Sequence, residues 1–296
     1  MCYTIYTVIY QDYQDFGSFS DYIHDMNKDI KNNIINMLKS AGIENYLFET
    51  KIIEEYADKN NFDGFAIENM VRRRINREPL QYIIGEWEFY GDVYKLNKDC
   101  LIPRPETEFL TEYIINNANK NGVILDLCCG SGCVSISALK RRKDLSAILI
   151  DISQGAIEAA NINSELNGVS DRLQSYRLDI MQDFDKIKNI IKSKNLSIDM
   201  ITSNPPYLTK SEVVKIKAEK TELYYEPEIA FSGGDDGLDF YRFIINNYSQ
   251  ICGEIVLEAG INQYKDIVAM FDKIGFSCGI IRDYGKIERV VAGRKR

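Results

Sequence analysis

The feature that most constrains the fold is an alternation of short apolar runs with helical segments over the last two thirds of the chain. The runs have the length of buried strands. The runs lie at 123–127, 147–150, 198–202 and 255–257, and the helical segments lie near 133–142, 154–167 and 238–250. Strands that alternate with helices form βαβ units, so the sequence predicts a doubly wound α/β domain with a parallel sheet and helices on both faces.

The preceding part of the chain has helical periodicity. Met26, Ile30, Ile34 and Leu38 form one apolar stripe on a helix that ends at Gly42. A second helix is predicted around 52–57. A third is predicted to begin after a cap at Asp63 and to end near Pro79. A bundle of this size is too small for a deep pocket, and we expect it to dock a partner or support the larger domain.

A β-hairpin is predicted between these two parts. Trp87 and Phe89 precede Gly91-Asp92, and Val93 and Leu96 follow it, which is the alternation of paired strands. The expected organisation is an unassigned extension at 1–20, a helical domain at 21–83, a hairpin linker at 84–102 and the α/β domain at 103–296.

Composition and charge exclude several classes of protein. The chain has 45% hydrophobic and 27% charged residues, and no apolar stretch approaches the ~18 residues of a membrane-spanning helix. Residues 1–10 have no preceding Lys or Arg and no cleavage site after them, so we expect a cytoplasmic protein without a signal peptide. The net charge of -8 disfavours binding to nucleic acid.

Cysteine and histidine content limits the chemistry further. The seven cysteines include no C-x-x-C pair, and Cys128, Cys129 and Cys133 lack zinc-ligand spacing, so we expect free thiols and no metal site. The one histidine, His24, is expected to be a surface or packing residue. A mechanism with a histidine base elsewhere in the chain is therefore excluded.

A glycine-rich turn follows the first strand of the α/β domain. It reads Cys128-Cys129-Gly130-Ser131-Gly132, and such a turn lets backbone N–H groups approach a ligand. The next strand ends in Asp151, which is placed to accept hydrogen bonds from both ribose hydroxyls of an adenosine-containing ligand. Asp179, or the backbone of Ile180, could meet the adenine amino edge. The pattern alone does not distinguish NAD from S-adenosylmethionine.

The fourth predicted strand ends in Asn204-Pro205-Pro206-Tyr207. Two prolines fix the backbone, so the Asn204 side-chain oxygen and the Pro205 carbonyl become two acceptors for one NH2 group. Tyr207 offers a flat face for a planar amide or base. Holding both hydrogens of such a nitrogen aims its lone pair and stabilises the positive charge that develops on it, so no strong base is needed.

These segments together resemble a known family. The glycine-rich turn, the acid after the second strand and N-P-P-Y are similar to class I S-adenosylmethionine-dependent methyltransferases that act on a planar nitrogen. More narrowly, the chain resembles the peptide chain release factor N5-glutamine methyltransferases over roughly residues 25 to 296. The segments that carry this resemblance are L-I-P-R-P-E-T-E at 101–108, N-P-P-Y at 204–207, Y-E-P at 225–227, R-D-Y-G at 282–285 and E-R at 288–289.

The resemblance implies a Rossmann-like sheet of seven strands, an N-terminal helical domain that engages the substrate, and S-adenosylmethionine as cofactor. The implied substrate is the glutamine of the Gly-Gly-Gln motif in bacterial class 1 release factors. By position, Asn204 and Pro205 would bind the glutamine amide, with Pro206 beside them and Tyr207 packed on it. The implied cofactor residues are Cys128, Cys129, Gly130, Ser131, Gly132, Asp151, Ile180 and Asn204, with Asp179 in a supporting role.

Two departures from the family pattern stand out. Cys128 replaces a usual glycine, and since cysteine disfavours a positive φ, we expect this residue to be extended. The first twenty residues, with Tyr3, Tyr6 and Tyr10, do not resemble the start of the family and have no functional interpretation.

Three other functions remain open. A ribosomal-protein glutamine methyltransferase would share the fold and N-P-P-Y. A DNA adenine-N6 methyltransferase would also share N-P-P-Y, but it needs a target-reading domain and a basic groove. A ligand-binding or docking module without activity is the third, and failure to bind S-adenosylmethionine in calorimetry would favour it. We expect a monomer with no direct contact to nucleic acid or membrane.

Overall fold

The computed structural model describes residues 28–296, which divide into two compact units, one ending at Ile84 and the other beginning at Gly85. The predicted extension at 1–20, His24 and the predicted first helical residue Met26 lie outside the described residues. None of the helices within 28–296 has the length and apolarity needed to cross a membrane.

The first unit contains the three predicted helices and a short fourth one. They are α1 (Lys28–Ser40), α2 (Tyr46–Lys59), α3 (Gly64–Ile75) and α4 (Leu80–Ile84). Asp63 caps α3 as predicted, since its Oδ1 accepts from the Ala66 N–H at 2.8 Å. The apolar stripes meet in a core that includes Ile34, Leu38 and Ile53.

The predicted hairpin opens the second unit as β1 (Glu86–Phe89) and β2 (Asp92–Lys95). Phe89 pairs with Asp92, so the two turn residues are Tyr90 and Gly91 rather than Gly91 and Asp92. Both have a positive φ, 52° and 74°, which matches the twist of a tight hairpin. The predicted turn was therefore wrong by one residue. Asp92 belongs to β2 because it pairs with Phe89, and the sequence does not show this pairing register.

The rest of the second unit confirms the predicted doubly wound α/β domain. Its strands are β3 (Val123–Leu127), β4 (Ser146–Asp151), β5 (Leu173–Arg177), β6 (Met200–Ser203), β7 (Glu254–Glu258), β8 (Phe276–Arg282) and β9 (Glu288–Lys295). Its helices are α5 (Glu108–Asn117), α6 (Cys133–Arg141), α7 (Gln154–Leu166), α8 (Phe184–Ser193), α9 (Lys210–Glu219), α10 (Asp239–Phe243) and α11 (Tyr264–Lys273), and α10 continues into a π-helical turn at Ile244–Tyr248.

The seven strands lie in the order β5-β4-β3-β6-β7-β9-β8. Strands β3 to β7 pair in parallel, whereas β9 is antiparallel to both of its neighbours. Alternate residues of each strand supply two separate cores. Ile124 faces the core built with α5, α6 and α7, and Leu125 faces the core built with α8, α10 and α11.

The strand register fixes where the site can form. Leu127, Ile150, Ser203 and Leu257 are paired across β4, β3, β6 and β7. The residues that follow them are Cys128, Asp151, Asn204 and Glu258. These four residues therefore lie side by side at the carboxyl edge of the sheet, where doubly wound folds bind ligands.

Gly132 is a position where we expect a methyl group to destabilise the fold. It has φ +77°, and an added Cβ would lie 2.9 Å from Ile136 Cδ1 and 3.0 Å from Leu149 Cδ2. Gly168 has a similar φ of +67° but open space around it. Gly168→Ala should cost about 1 kcal/mol from backbone strain, and Gly132→Ala about 1–3 kcal/mol more from overpacking. Urea denaturation measures both, and equal losses would contradict the packing argument.

Candidate active site

The loop after β3 has a left-handed backbone at three positions. Cys128, Gly130 and Gly132 have φ values of 58°, 53° and 77°. The expectation that Cys128 would be extended is therefore wrong. The left-handed turn brings the Cys129 N–H to the Ile150 carbonyl at 3.1 Å, so tertiary pairing with β4 imposes a conformation that costs a cysteine about 1–2 kcal/mol.

Asp151 joins this loop to the start of α7. Its Oδ2 accepts from the Gly130 N–H and its Oδ1 from the Ser153 N–H, both at 2.9 Å. Burial raises the pKa of Asp151, and the backbone donors oppose that shift. The carboxylate is thus held in one orientation with lone pairs left for a ligand.

A cavity of about 270 Å³ opens above these residues, at the carboxyl edge of the sheet. Nine of the residues singled out in the sequence line it. They are Cys128, Cys129, Gly130, Ser131, Asp151, Asp179, Ile180, Asn204 and Pro206. The structure brings together the glycine-rich turn, the two strand-end acids and the first part of N-P-P-Y, which are up to 78 residues apart in the chain.

Gly132, Pro205 and Tyr207 do not belong to the cavity wall. Gly132 faces Ile136 and Leu149 in the core, so it is needed for close packing rather than for the cavity surface. Pro205 is buried. The Tyr207 carbonyl accepts from Gln263 Nε2 at 2.9 Å, which fixes the end of the N-P-P-Y turn.

Asp179 uses its carboxylate locally. Its Oδ1 accepts from the backbone N–H of Met181 at 2.8 Å and of Gln182 at 3.2 Å. The side chain therefore shapes the turn that carries Ile180 into the cavity wall.

Asp126 is a cavity residue that the sequence reasoning missed. It lies within β3, is 2% exposed, and accepts from the Ser135 hydroxyl at 2.7 Å. Burial raises its pKa to about 7. A single charged residue inside an otherwise apolar strand was the available signal, since unpaired buried carboxylates are costly.

Other cavity residues were also not predicted as site residues. They are Asp99, Leu101, Pro103, Arg104, Thr107, Cys133, Val134, Ile152, Ser153, Leu178, Met181, Ile229, Ala230 and Phe240. Some of them directly follow strand ends, such as Ile152, Ser153 and Leu178, and others come from loops and helices elsewhere in the second unit. Periodicity places such residues on elements but does not indicate which loops fold over the sheet edge.

The Asn204 side chain is oriented by a hydrogen bond to Thr107. Its Nδ2 donates to the Thr107 Oγ1 at 3.2 Å. The amide oxygen Oδ1 is thereby left for another donor. Asn204 is also one of the residues that line the cavity.

Ion pairs bind the R-P-E-T-E segment to two distant parts of the chain. Arg104 pairs with Glu226, which also accepts from the Ile102 N–H at 3.0 Å. Arg289 pairs with Asp283 at 2.8 Å and lies 3.8 Å from Glu106. The segment that carries Thr107 is therefore fixed on both sides.

Among the described residues, four carboxylates line the cavity, at Asp99, Asp126, Asp151 and Asp179, together with one guanidinium, from Arg104. The local field favours a cationic ligand. Within residues 28–296, no group of three His, Cys, Asp or Glu side chains is placed to hold a metal ion.

The raised pKa of Asp126 predicts how the free energy of unfolding depends on pH. An unfolded aspartate has a pKa near 4, so between about pH 4 and pH 7 the folded protein binds more protons than the unfolded chain. The free energy of unfolding contributed by this group is therefore lost as pH rises through that window. Relative to Asp126→Asn, the ligand-free wild type should lose about 3 kcal/mol between pH 4.5 and pH 8. Denaturant titrations measure this, with the exposed Asp185→Asn as control, and a pH-independent difference would contradict it.

Comparisons with known proteins show which family this chain resembles in sequence. The model of the "Methyltransferase small domain" family matches residues 105–221. A "Release factor glutamine methyltransferase" from Thermodesulfovibrio yellowstonii is 35% identical over 270 residues, covering 88% of this chain and 90% of that protein. One from Geobacter sulfurreducens is 34% identical over 275 residues, covering 87% and 92%.

A solved structure of similar fold is a methyltransferase from Pyrococcus furiosus. It is 15% identical, with a TM-score of 0.50, and the match covers 77% of this chain and 98% of that chain. This likeness concerns the fold alone. The extent and identity of the sequence matches identify the family: the chain belongs to the release factor glutamine methyltransferases, which are S-adenosylmethionine-dependent enzymes.

Proposed function

We propose that this protein transfers the methyl group of S-adenosylmethionine to the side-chain amide nitrogen of the glutamine in the Gly-Gly-Gln motif of class 1 release factors. The single observation that carries the proposal is the orientation of Asn204. Asn204 lines the cavity, and its amide oxygen is left as an acceptor because its Nδ2 donates to Thr107. A primary amide is a substrate that such an acceptor recognises.

The residues of the cavity fit the proposed cofactor. An added Cβ at Gly130 would meet no atom within 4 Å, so the loop leaves open space next to a backbone that a ligand can approach. Asp151 would accept from the ribose hydroxyls. Ile152 and Ile180 would provide apolar surface for the adenine ring, beside Met181.

The charge of the cavity also fits. The cofactor supplies a methyl group already activated by attachment to a sulfonium. Asp126 would pair with a cationic group of that ligand. Burial favours the protonated form of Asp126, and such pairing would favour its ionised form instead. The four carboxylates would hold a cation more tightly than a neutral product, which favours product release.

Asn204 and Pro205 would hold the substrate amide. Asn204 Oδ1 and the Pro205 carbonyl would each accept one hydrogen of the NH2 group, which turns the nitrogen lone pair toward the methyl group. These acceptors also stabilise the positive charge that develops on nitrogen during transfer. Pro206 and Tyr207 would keep the turn rigid and pack against the amide.

The remaining assignments are part of the same proposal. The helical unit would contact the release factor, and the enzyme would act as a monomer in the cytoplasm. We also propose the division into an extension at 1–20, a docking domain at 21–83, a hairpin at 84–102 and a catalytic domain at 103–296. The end of the helical unit at Ile84 supports the boundary after residue 83.

Labelled S-adenosylmethionine tests the proposed reaction directly. The protein is incubated with a purified release factor, with its Gln-to-Ala variant in Gly-Gly-Gln, and with ribosomal protein from the same source. We expect label only in the unchanged release factor. Equal labelling of the two release factor proteins would overturn the assignment, and labelling of the ribosomal protein alone would favour the related glutamine methyltransferase.

Asn204→Ala should lower kcat much more than it weakens cofactor binding. Loss of one fixed acceptor for developing charge costs about 2 kcal/mol or more in the barrier, roughly thirtyfold in rate. Single-turnover kinetics and calorimetry separate the two effects. The exposed Asn246→Ala is the control. An unchanged kcat would remove Asn204 from the mechanism.

Asp151→Ala should act mainly on the cofactor. It removes the acceptor for the ribose and also frees the Gly130 N–H, so the dissociation constant measured by calorimetry should rise about tenfold or more. Asp185→Ala, an 88% exposed aspartate, is the matched control. A dissociation constant equal to that of the wild type would exclude the proposed ribose contact.

A further inference from the structure

Thr107 is an almost fully buried residue that lines the cavity. It ends the 3-10 turn Pro105–Thr107, is 3% exposed, and lines the same cavity as Asn204. Its Oγ1 is the acceptor for Asn204 Nδ2. The proposed function depends on the direction of this hydrogen bond, so the direction needs an explanation of its own.

The orientation of an asparagine amide is ambiguous when its partner is a hydroxyl. A hydroxyl both donates and accepts, so Thr107 could take a hydrogen bond from Nδ2 or give one to Oδ1. Only the first arrangement leaves Oδ1 in the cavity for a substrate NH2 group. The second would present the Asn204 NH2 group to the substrate and would repel it. A further group must therefore decide which way the Thr107 hydrogen points.

Glu258 is placed to determine the direction in which the Thr107 hydroxyl hydrogen points. It ends β7, whose Leu257 pairs with Ser203 of β6, it is 2% exposed, and its carboxylate is near enough to Thr107 for that hydroxyl to lower the pKa of Glu258. An ionised carboxylate only accepts. When the Thr107 hydroxyl donates its hydrogen to Glu258, its oxygen is left to accept from Asn204.

Glu258 is held in this place at an energetic cost. Its Oε2 is buried without a hydrogen-bond partner among residues 28–296. Burial raises its pKa to about 7, against the opposing effects of Thr107, Arg289 and Arg104. A buried carboxylate with one unsatisfied oxygen destabilises the fold, and such groups persist where they have another role.

We propose that Thr107 and Glu258 are positioning residues, which together fix the amide of Asn204 with its oxygen toward the substrate. The inference rests on the proposed function, because it assigns a purpose to an acceptor for the substrate amide. It adds two residues to the same site: Thr107, which belongs to R-P-E-T-E, and Glu258, which ends β7. Neither residue is given contact with the reacting atoms.

A pH dependence follows from this arrangement. Protonated Glu258 can donate to Thr107, which then is free to donate to Asn204 Oδ1 and stabilise the wrong orientation. Turnover should therefore fall as pH drops through the pKa of Glu258, near 7. The titratable or charged groups that face Glu258 are Arg104, Glu106, Cys133, Tyr207, Tyr241 and Arg289.

The first experiment compares three threonine variants by kcat, KM for the release factor and cofactor dissociation constant. Thr107→Val keeps the shape but has no acceptor, so kcat should fall about tenfold or more, with cofactor affinity within twofold of the wild type. Thr107→Ser keeps the hydroxyl and should restore kcat to within about threefold. Thr111→Val is the matched control, because Thr111 is buried one turn later in α5 and its Oγ1 has no hydrogen-bond partner in the described chain.

The second experiment tests the relay, by which we mean the hydrogen bonds from Asn204 to Thr107 and from Thr107 to Glu258. Glu258→Gln should abolish the fall of kcat near pH 7 at saturating substrate. Glu258→Leu should lower kcat about as much as Thr107→Val, and the double variant should be no slower than either single one, since all three break the same relay. Additive losses, or an acidic limb that persists in Glu258→Gln, would overturn the proposal.

The third measurement does not depend on activity. In protein labelled with ¹⁵N-asparagine, the Asn204 side-chain NH2 signal should be shifted and protected from exchange in the wild type and in Thr107→Ser, and should lose both properties in Thr107→Val. An unchanged signal in Thr107→Val would contradict the positioning role even if release factors prove not to be the substrate. Conversely, a changed signal with no methylation of release factors by the wild type would refute the proposed function alone.

Discussion

The in-register pairing of β3, β4, β6 and β7 is the constraint on which the rest of the structure depends. It aligns the residue after each strand, so Cys128, Asp151, Asn204 and Glu258 meet at one edge of the sheet. A shift of one residue in any strand would exchange core and site residues, because side chains alternate between faces. The two apolar cores on opposite faces oppose such a shift. Packing energy spread over the whole domain therefore fixes the positions of a few polar groups.

Carboxylates at this edge are held in environments that disfavour their charge. Burial raises the pKa of Asp126, Asp151 and Glu258. Each is an unfavourable term in folding, which the hydrophobic cores offset. In return the groups are desolvated before a ligand arrives, so their interactions with a cation or a hydroxyl are stronger than in water. Asp151 is held in its orientation by two backbone donors, whereas one carboxylate oxygen of Glu258 has no hydrogen-bond partner in the described part of the chain.

Cysteine at position 128 shows how tertiary pairing overrides local preference. The residue adopts a φ of 58°, although this region favours glycine. Hydrogen bonds from Cys129 to Ile150 and from Gly130 to Asp151 hold the loop against β4 on the C-terminal side of the strained residue. The backbone path of the loop is thus set by the strands it joins, and the side chain at 128 accommodates it.

Sequence alone determined the helical segment before the hairpin, the βαβ alternation, the approximate ends of four strands and the position of the N-P-P-Y turn at 204–207, because periodicity and turn residues are local signals. The family resemblance also came from contiguous segments. Only the tertiary structure decided that β9 inserts antiparallel between β7 and β8, that Cys128 is left-handed, and that Asp126 opens into the cavity. It also decided that Thr107 meets Asn204, 97 residues away. These outcomes depend on contacts between residues that are distant in the chain. Local sequence patterns do not predict which of these contacts form.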